Sequence, residues 1–520
     1  MVGSDTGEHS GEQLIKGRLL ARNTLINFWG QIVPLGIAVF AMPVLIRKLG
    51  TDRFGVLTLI WMAIGYFSLI DFGLGRALTK LVAEKIGRRE DREVASLVGT
   101  GMLLMGVLGT IAVPLVALLT PWLVGDVLNV PRMLRNEALN SFYVLAFCIP
   151  VVVCTVGTVG ILEAHQRFSS INTVRVLSGA YMYLSPLLVL PFSRSLFPVV
   201  MVLAAGRLFT LVAYVIICSR ALPSLFVGLK IQAQAIRPLV NFGGWITMTN
   251  VVDPFMRYLD RFFIGSMASM AAVAYYTTPY EVVTKLWIFP AALSGVFFPA
   301  FSTSYGQDPQ RTVLLFGRAL KSVFIMLFPI ALLIVMLAHE GLDLWLGKEF
   351  AEHSTIVLQC LTVGVLVNGL ARIPDGLVQA LGRPDLTGKL HLAELPVYLM
   401  LLWWMIKAYG IEGAAVAWLI RASIDMVVLF LFSSRLLGDT SSVIKKISFF
   451  LVGALLSMIL AFVPFGLAGK GVTVFLVSCS FGLCVWCLLL SPDERALARG
   501  WVRQEPIGWR LPRLKFRSDS

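Results

Sequence analysis

Residues 23–46 read NTLINFWGQIVPLGIAVFAMPVLI, a run with no acidic or basic side chain. A helix rises 1.5 Å per residue, so roughly 20 apolar residues cross a hydrocarbon core about 30 Å thick. The run is therefore long enough to span a bilayer. Its Asn27-Phe28-Trp29-Gly30 returns as Asn241-Phe242-Gly243-Gly244, an offset of 214. A chain that crosses a membrane and then restates the same string is read here as a duplicated multi-span protein.

Thirteen further blocks follow: Gly55–Thr79, Val94–Leu119, Ser141–Leu162, Ile171–Phe192, Leu196–Cys218, Val240–Ile264, Val282–Phe301, Phe316–Ala338, Ser354–Ala380, His391–Ala408, Ile411–Phe432, Ile447–Phe465 and Val472–Leu490. Gly and Pro inside them do not argue against helix, because membrane helices tolerate both. The chain is 57% hydrophobic and 14% charged, where a soluble domain is about a quarter charged. The expected fold class is an all-α integral membrane protein of about 14 transmembrane helices. Two pseudo-symmetric six-helix lobes surround a central cavity, and two extra helices follow.

The duplication is carried by more than one string. Pro114 returns as Pro329, at 215. Gly160-Ile161-Leu162-Glu163-Ala164 with Arg167 returns as Gly376-Leu377-Val378-Gln379-Ala380 with Arg383, at 216, and Arg207 returns as Arg421, at 214. Spans 2 and 8 show no convincing match. The expected organisation is a cytoplasmic segment 1–22, an N-lobe 23–218, a cytoplasmic linker 219–239, a C-lobe 240–434, helices 13 and 14 over 446–490, and a basic cytoplasmic tail 491–520. Six spans per copy is even, so both copies enter the membrane the same way and are related by an axis along its normal. A duplicated channel or scaffold is the plainer alternative to a transporter.

The formal net charge of +14 is unevenly placed. With the amino terminus inside, Lys and Arg are about three times as numerous in the inner connections as in the outer ones. That bias puts both termini in the cytoplasm of a multi-pass plasma (inner) membrane protein, and it accounts for the basic charge without nucleic acid. Arg47, Lys48 and Arg53, in the first outer loop, dissent. Residues 1–22 are too polar for a cleaved signal peptide, and the basic tail is expected to lie against anionic membrane lipid. The seven Cys are scattered, and Cys484 and Cys487 read as small packing residues within a span. The His residues have no metal spacing and there is no phosphate loop, so no metal, cofactor or nucleotide hydrolysis is expected.

The string NFWGQIVPLGIAVFAMPVLIRKLGTDRFGVLTL at 27–59, LIDFGLGRALTKLVAE at 69–84, FGGWITMTNVVDPFMRYLDRFFIG at 242–265 and GLVQALGRPDLTGKL at 376–390 resemble the Wzx-type polysaccharide flippases. That family shares a superfamily with the MATE drug exporters and the lipid II flippase. The resemblance runs from about Asn23 to Leu437. It implies a flippase that moves an undecaprenyl-diphosphate-linked oligosaccharide to the outer face by alternating access, for O-antigen, capsule or exopolysaccharide synthesis. A polymerase and a chain-length regulator are the partners it implies.

A diphosphate head group calls for cations, and Arg suits it because its planar fork bonds two oxygens at once. A charge within a span costs at least about 2.5–3.5 kcal/mol, so each needs a partner or a role. The cavity candidates are Arg207, Arg421, Arg257, Asp253 and Arg372. The ion-coupling candidates are Asp71 and Asp425. Each has a structural reading beside it: Asp425 neutralising Arg421 four residues away, Asp253 and Arg257 in a network with Asp260 that holds span 7, and Asp71 in a structural hydrogen bond. Arg261 is expected as an interfacial anchor and Glu281–Lys285 as a pair, while Glu394 has no partner that sequence identifies. Trp122, Trp345, Trp403 and Trp404 are expected in the interface belt. Three competing functions remain: a MATE-like ion-coupled exporter, a lipid II flippase, and a membrane glycan polymerase or ligase. The last usually needs a large outer loop, and the longest here, about Thr120 to Asn140, is too short for a domain.

Overall fold

The computed structural model describes residues 33–88, 90–223, 231–237, 239, 256, 259–306, 308–438, 441–463, 465–492 and 494–495. These residues are helical, with no strand among them. In chain order the helices are α1 (33–49), α2 (Thr51–Phe67), α3 (Leu74–Gly87), α4 (Asp91–Trp122), α5 (Arg135–Ala164), α6 (Phe168–Val189) and α7 (Leu196–Ala221). Then come α8 (259–267), α9 (Met270–Val283), α10 (Ile288–Tyr305), α11 (Pro309–Met336), α12 (Ala338–Leu346), α13 (Lys348–Ala380), α14 (Pro384–Leu437), α15 (Ser441–Ile459) and α16 (Leu467–Cys484).

Nine helical stretches among the described residues are long and apolar enough to cross a membrane. The expected first span is described from residue 33 onward, the seventh falls largely outside the described residues, and the eleventh and twelfth form one element. That element, α14, reverses at Gly410, whose φ of 61° lies in the left-handed region. Large apolar side chains face outward along the bundle, among them Phe40, Leu118, Phe192, Met400 and Phe449. In water such a surface would drive association, whereas lipid tails are as apolar as the side chains themselves. The chain is a multi-pass membrane protein.

Two spans differ from the sequence reading. The second is broken rather than continuous: a 3-10 turn Ser68–Asp71 ends α2, and Phe72 (φ 45°) and Gly73 (φ 72°) turn the chain before α3. The eighth starts at Met270 rather than Val282, as α9, a 3-10 turn Thr284–Trp287 and α10. The added segment carries Tyr275, Tyr276, Thr277, Thr278 and Tyr280, which interrupt its apolar run. All five are buried against protein, where the hydroxyls of Tyr275, Tyr276 and Thr278 bond to Glu349, Asp260 and the Ala274 carbonyl.

The duplication extends into the backbone. The 3-10 turns of spans 2 and 8 lie 216 residues apart, although their sequences do not match. So do the turns that end α5 and α13. Gln166 (φ 57°) and Gly382 (φ 77°) occupy equivalent positions, and the amides of Arg167 and Arg383 donate back to the carbonyls of Leu162 and Val378 at 2.9 and 3.1 Å. This pattern closes a helix carboxyl end by satisfying carbonyls of its last turn.

At one end of the bundle the first half, α1–α7, meets the second through close main-chain contacts. Met270 of α9 comes so close to α2 that a Cβ on Gly55 would stand 1.8 Å from the Met270 carbonyl oxygen. Asn129, after α4, donates its backbone amide to Gly265 (2.9 Å) and its side-chain amide to the carbonyls of Ser266 (2.8 Å) and Ala268 (3.1 Å). Trp345 of α12 donates to the Val39 carbonyl of α1 at 2.7 Å. Small residues and main-chain hydrogen bonds are what membrane helices use where burial gives little driving force. A separate cluster built on Phe324, Phe328, Phe450 and Phe481 fastens α15 and α16 to α11.

Candidate functional site: a buried charge cluster in the second half

Three helix faces converge on a cavity of about 90 Å³. Asn368, Arg372 and Asp375 fall at i, i+4 and i+7 on α13. His391, Glu394 and Tyr398 fall at i, i+3 and i+7 before the Gly410 bend of α14. Trp418, Arg421 and Asp425 fall at i, i+3 and i+7 after it. Such spacings put side chains on one face, and the bend at Gly410 brings the two halves of α14 side by side. His391 lies seven residues into α14, roughly 10 Å from its start. The cluster therefore occupies the part of the membrane away from the Gly55–Met270 seam.

Arg421 Nε stands 3.6 Å from Glu394 Oε2, and its guanidinium lies 5.3 Å from the Tyr398 ring centroid. His391 Nε2 stands 3.7 Å from Asp425 Oδ1. The Arg372 guanidinium lies 4.8 Å over the Trp287 ring, and Gln379 donates to Asp375 at 2.9 Å. This corrects the expected Arg421–Asp425 pair. An Arg placed before its acid at i, i+4 is the less favourable order, and Glu394 arrives from the facing segment. Glu394 thereby gains the partner that sequence left unidentified.

Several polar atoms of the cluster are buried without a hydrogen-bond partner among the described residues: both carboxylate oxygens of Glu394, Asp425 Oδ1, Arg421 Nε and the Tyr398 hydroxyl. A buried carboxylate with no hydrogen bond is costly unless a proton, a cation or water completes it. Asp375, Asp425, His391, Arg372 and Arg421 line the cavity, with Glu394 paired to Arg421, and such a set can exchange a proton. Drug-sized ligands occupy several hundred Å³, so an oligosaccharide does not fit this cavity.

The other candidates lie elsewhere. Arg207 is half-buried on α7, near Cys148, and makes no ion pair among the described residues. Its repeat-mate Arg421 is thus paired, whereas Arg207 has no such pair among the described residues. Asp71 is buried, and its carboxylate accepts from the amides of Gly73 (3.0 Å) and Gly75 (2.9 Å). That is a capping arrangement at the start of α3, and it matches the structural reading. Asp253 and Arg257 lie outside the described residues.

Arg261 is buried, not at the interface: it pairs with Glu281 at 3.1 Å and lies 4.4 Å over the Tyr280 ring. The Glu281–Lys285 pair forms at 3.6 Å. Asp260 accepts from the Tyr276 hydroxyl at 2.6 Å and is within electrostatic reach of Arg421, so this network adjoins the cluster. Trp122, Trp403 and Trp404 are exposed as a belt requires, whereas Trp345 is held in the seam.

A model of the family described as polysaccharide biosynthesis protein matches residues 44–355. The chain belongs to this polysaccharide biosynthesis family. One relative is a Shigella flexneri protein described as an O-antigen transporter, 29% identical over 79% of this chain and 96% of its own. Another is a Haloferax volcanii protein described as the low-salt glycan biosynthesis flippase Agl15, 22% identical over 94% of this chain and 100% of its own. The lipid II flippase MurJ in an inward closed conformation superposes with a TM-score of 0.66 at 14% identity, covering 89% of this chain and 98% of that one. An inward-facing MATE transporter gives 0.65 at 14% identity, over 79% and 99%. These two likenesses show the fold that this family member shares with them. The convergent faces of α13 and α14 lie beyond residue 355, outside the stretch matched by the family model.

Proposed function

We infer that this protein is a flippase for a lipid-linked oligosaccharide, working by alternating access. The observation that carries the reading is the polysaccharide-biosynthesis family match, together with near full-length relatives described as an O-antigen transporter and a glycan biosynthesis flippase. In this reading the protein sits in the inner membrane with both termini cytoplasmic, and the seam at Gly55, Asn129 and Trp345 closes the outer side. It moves its substrate without chemistry, and a polymerase with its chain-length regulator takes the product.

Arg207, with no acidic partner among the described residues, is the described cation best placed to meet a diphosphate. Arg257, Asp253 and Arg372 are proposed beside it. His391, Asp425 and Glu394 carry the coupling proton, with Arg421 as the fixed positive charge beside Glu394, the role expected from sequence for Asp71 and Asp425. The test is reconstitution: proteoliposomes should translocate an undecaprenyl-diphosphate oligosaccharide without ATP and faster with an ion gradient. Arg207→Ala should weaken head-group affinity about tenfold, one charge-assisted bond being worth roughly 1.5 kcal/mol. A strict ATP requirement, or normal transport by well-folded Arg207→Ala, would overturn the corresponding part.

A second reading, an ion-coupled exporter of organic cations, draws on the acids of the cluster, Asp375 and Asp425 at the cavity and Glu394 paired with Arg421. The near full-length relatives described as an O-antigen transporter and a glycan biosynthesis flippase favour the flippase reading.

A further inference from the structure

A second cavity, of about 470 Å³, shares no lining residue with the charge cluster and lies between α11, α15 and the chain that follows α16. Its polar side is formed by Arg318, Lys321, Lys446 and Glu494. Its apolar side includes Leu314, Val443, Ile447 and Leu489. Glu494 is shared by two cations, with Lys321 Nζ at 3.2 Å and Arg318 Nε at 3.4 Å. Lys446 is exposed and has no carboxylate within 4 Å among the described residues. The described lining is therefore net positive. The cavity opens where α11 and α15 begin, the end to which the positive-inside bias assigns the cytoplasm.

We propose that this cavity is a binding site for a membrane phospholipid with an anionic head group, drawn from the cytoplasmic leaflet. The phosphate sits between Arg318 and Lys446, and the glycerol esters and first methylenes lie against Val443, Ile447 and Leu489. Three features favour this occupant. The volume falls within the range of small-molecule sites. A basic rim beside an apolar wall at a membrane face matches a molecule with a phosphate joined to hydrocarbon. Finally, residues 496–520 carry an excess of Arg and Lys over acids, so they do not complement a positive cavity. The site owes nothing to the transported substrate: α15 and α16 lie outside the repeat, and a lipid wedged here braces them on α11.

The test uses the full chain in a neutral detergent. Phosphatidylglycerol, phosphatidylcholine with the same acyl chains, and inorganic phosphate are added in turn. Retained lipid is read by native mass spectrometry and stability by thermal melting. Phosphatidylglycerol should bind and raise the melting temperature, and the other two should not. Lys446→Gln should weaken that response severalfold. Arg318→Gln with Lys446→Gln should weaken it roughly tenfold or more, at about one decade per 1.4 kcal/mol and about 1 kcal/mol per basic residue near a lipid surface. Arg311→Gln, an exposed cation at the same end outside the cavity, should leave the response intact. Because Lys446 pairs with no described carboxylate, its variant keeps the test valid if the double variant folds poorly. Equal stabilisation by inorganic phosphate would reduce the cavity to a free-anion site. An unchanged phosphatidylglycerol response in Lys446→Gln, or an equal loss in Arg311→Gln, would reduce the effect to surface attraction. Each result overturns the proposal.

Discussion

Arg421 and Glu394 illustrate how a charge is kept inside a membrane. Each is nearly buried, and each still has buried atoms without a hydrogen bond. Removing one partner leaves the other as an uncompensated buried charge, a loss of roughly 3–5 kcal/mol, whereas replacing both with apolar residues is often neutral. Arg421→Ala should therefore lower the melting temperature sharply, and Arg421→Leu with Glu394→Leu should recover most of the stability while transport stays low. If the double variant also transports normally, the pair has no part in coupling. Gln166 gives a second prediction. It holds a φ of 57° where its repeat-mate is Gly382, and a side chain in the left-handed region costs about 1 kcal/mol. Gln166→Gly should raise stability by roughly 0.5 kcal/mol after the extra freedom of glycine in the unfolded chain is allowed for. A lower melting temperature would show that the turn needs the Gln side chain.

At the scale of elements, the helix ends and turns govern how the halves separate. Asn129→Ala removes two side-chain hydrogen bonds across the seam, worth about 1 kcal/mol each. Spin labels on the ends of α4 and α8 should then show a larger open population. Gly55→Val should act more strongly, because its Cβ cannot coexist with the Met270 carbonyl. An unchanged distance distribution in both variants would mean that the seam does not hold the halves. Much of the element map was legible in the sequence, since uninterrupted apolar length is a strong signal, as in α4, α11 and α16. The start of α9 was not, because hydroxyl-rich sequence reads as a connection until its protein neighbours are known. The break in span 2 had a readable cue in Asp71-Phe72-Gly73, an acid that can accept amides beside a glycine that can take positive φ. The charge cluster was partly legible: Arg421, Arg372 and Asp425 were singled out as charges within spans. Their partners were not, because Glu394 and His391 arrive from a segment that only the reversal at Gly410 brings alongside.

For the whole molecule, orientation is the property on which the functional reading most depends. Gln310 and Glu352 are both exposed and lie at opposite ends of the bundle. In a chain stripped of its own cysteines, Cys at Glu352 should react with an impermeant thiol reagent applied to intact cells, and Cys at Gln310 should not. Reversed labelling would place the Asn129 end in the cytoplasm and make the halves close on the wrong side for export. The named contacts that join the halves at that end are amides, carbonyls, an indole and a glycine, none of which changes charge at physiological pH. Those contacts are therefore indifferent to acidity and salt, and any sensitivity of the seam to either has to enter through its ionisable neighbours, Asp52 and Glu349 around the Tyr275 hydroxyl.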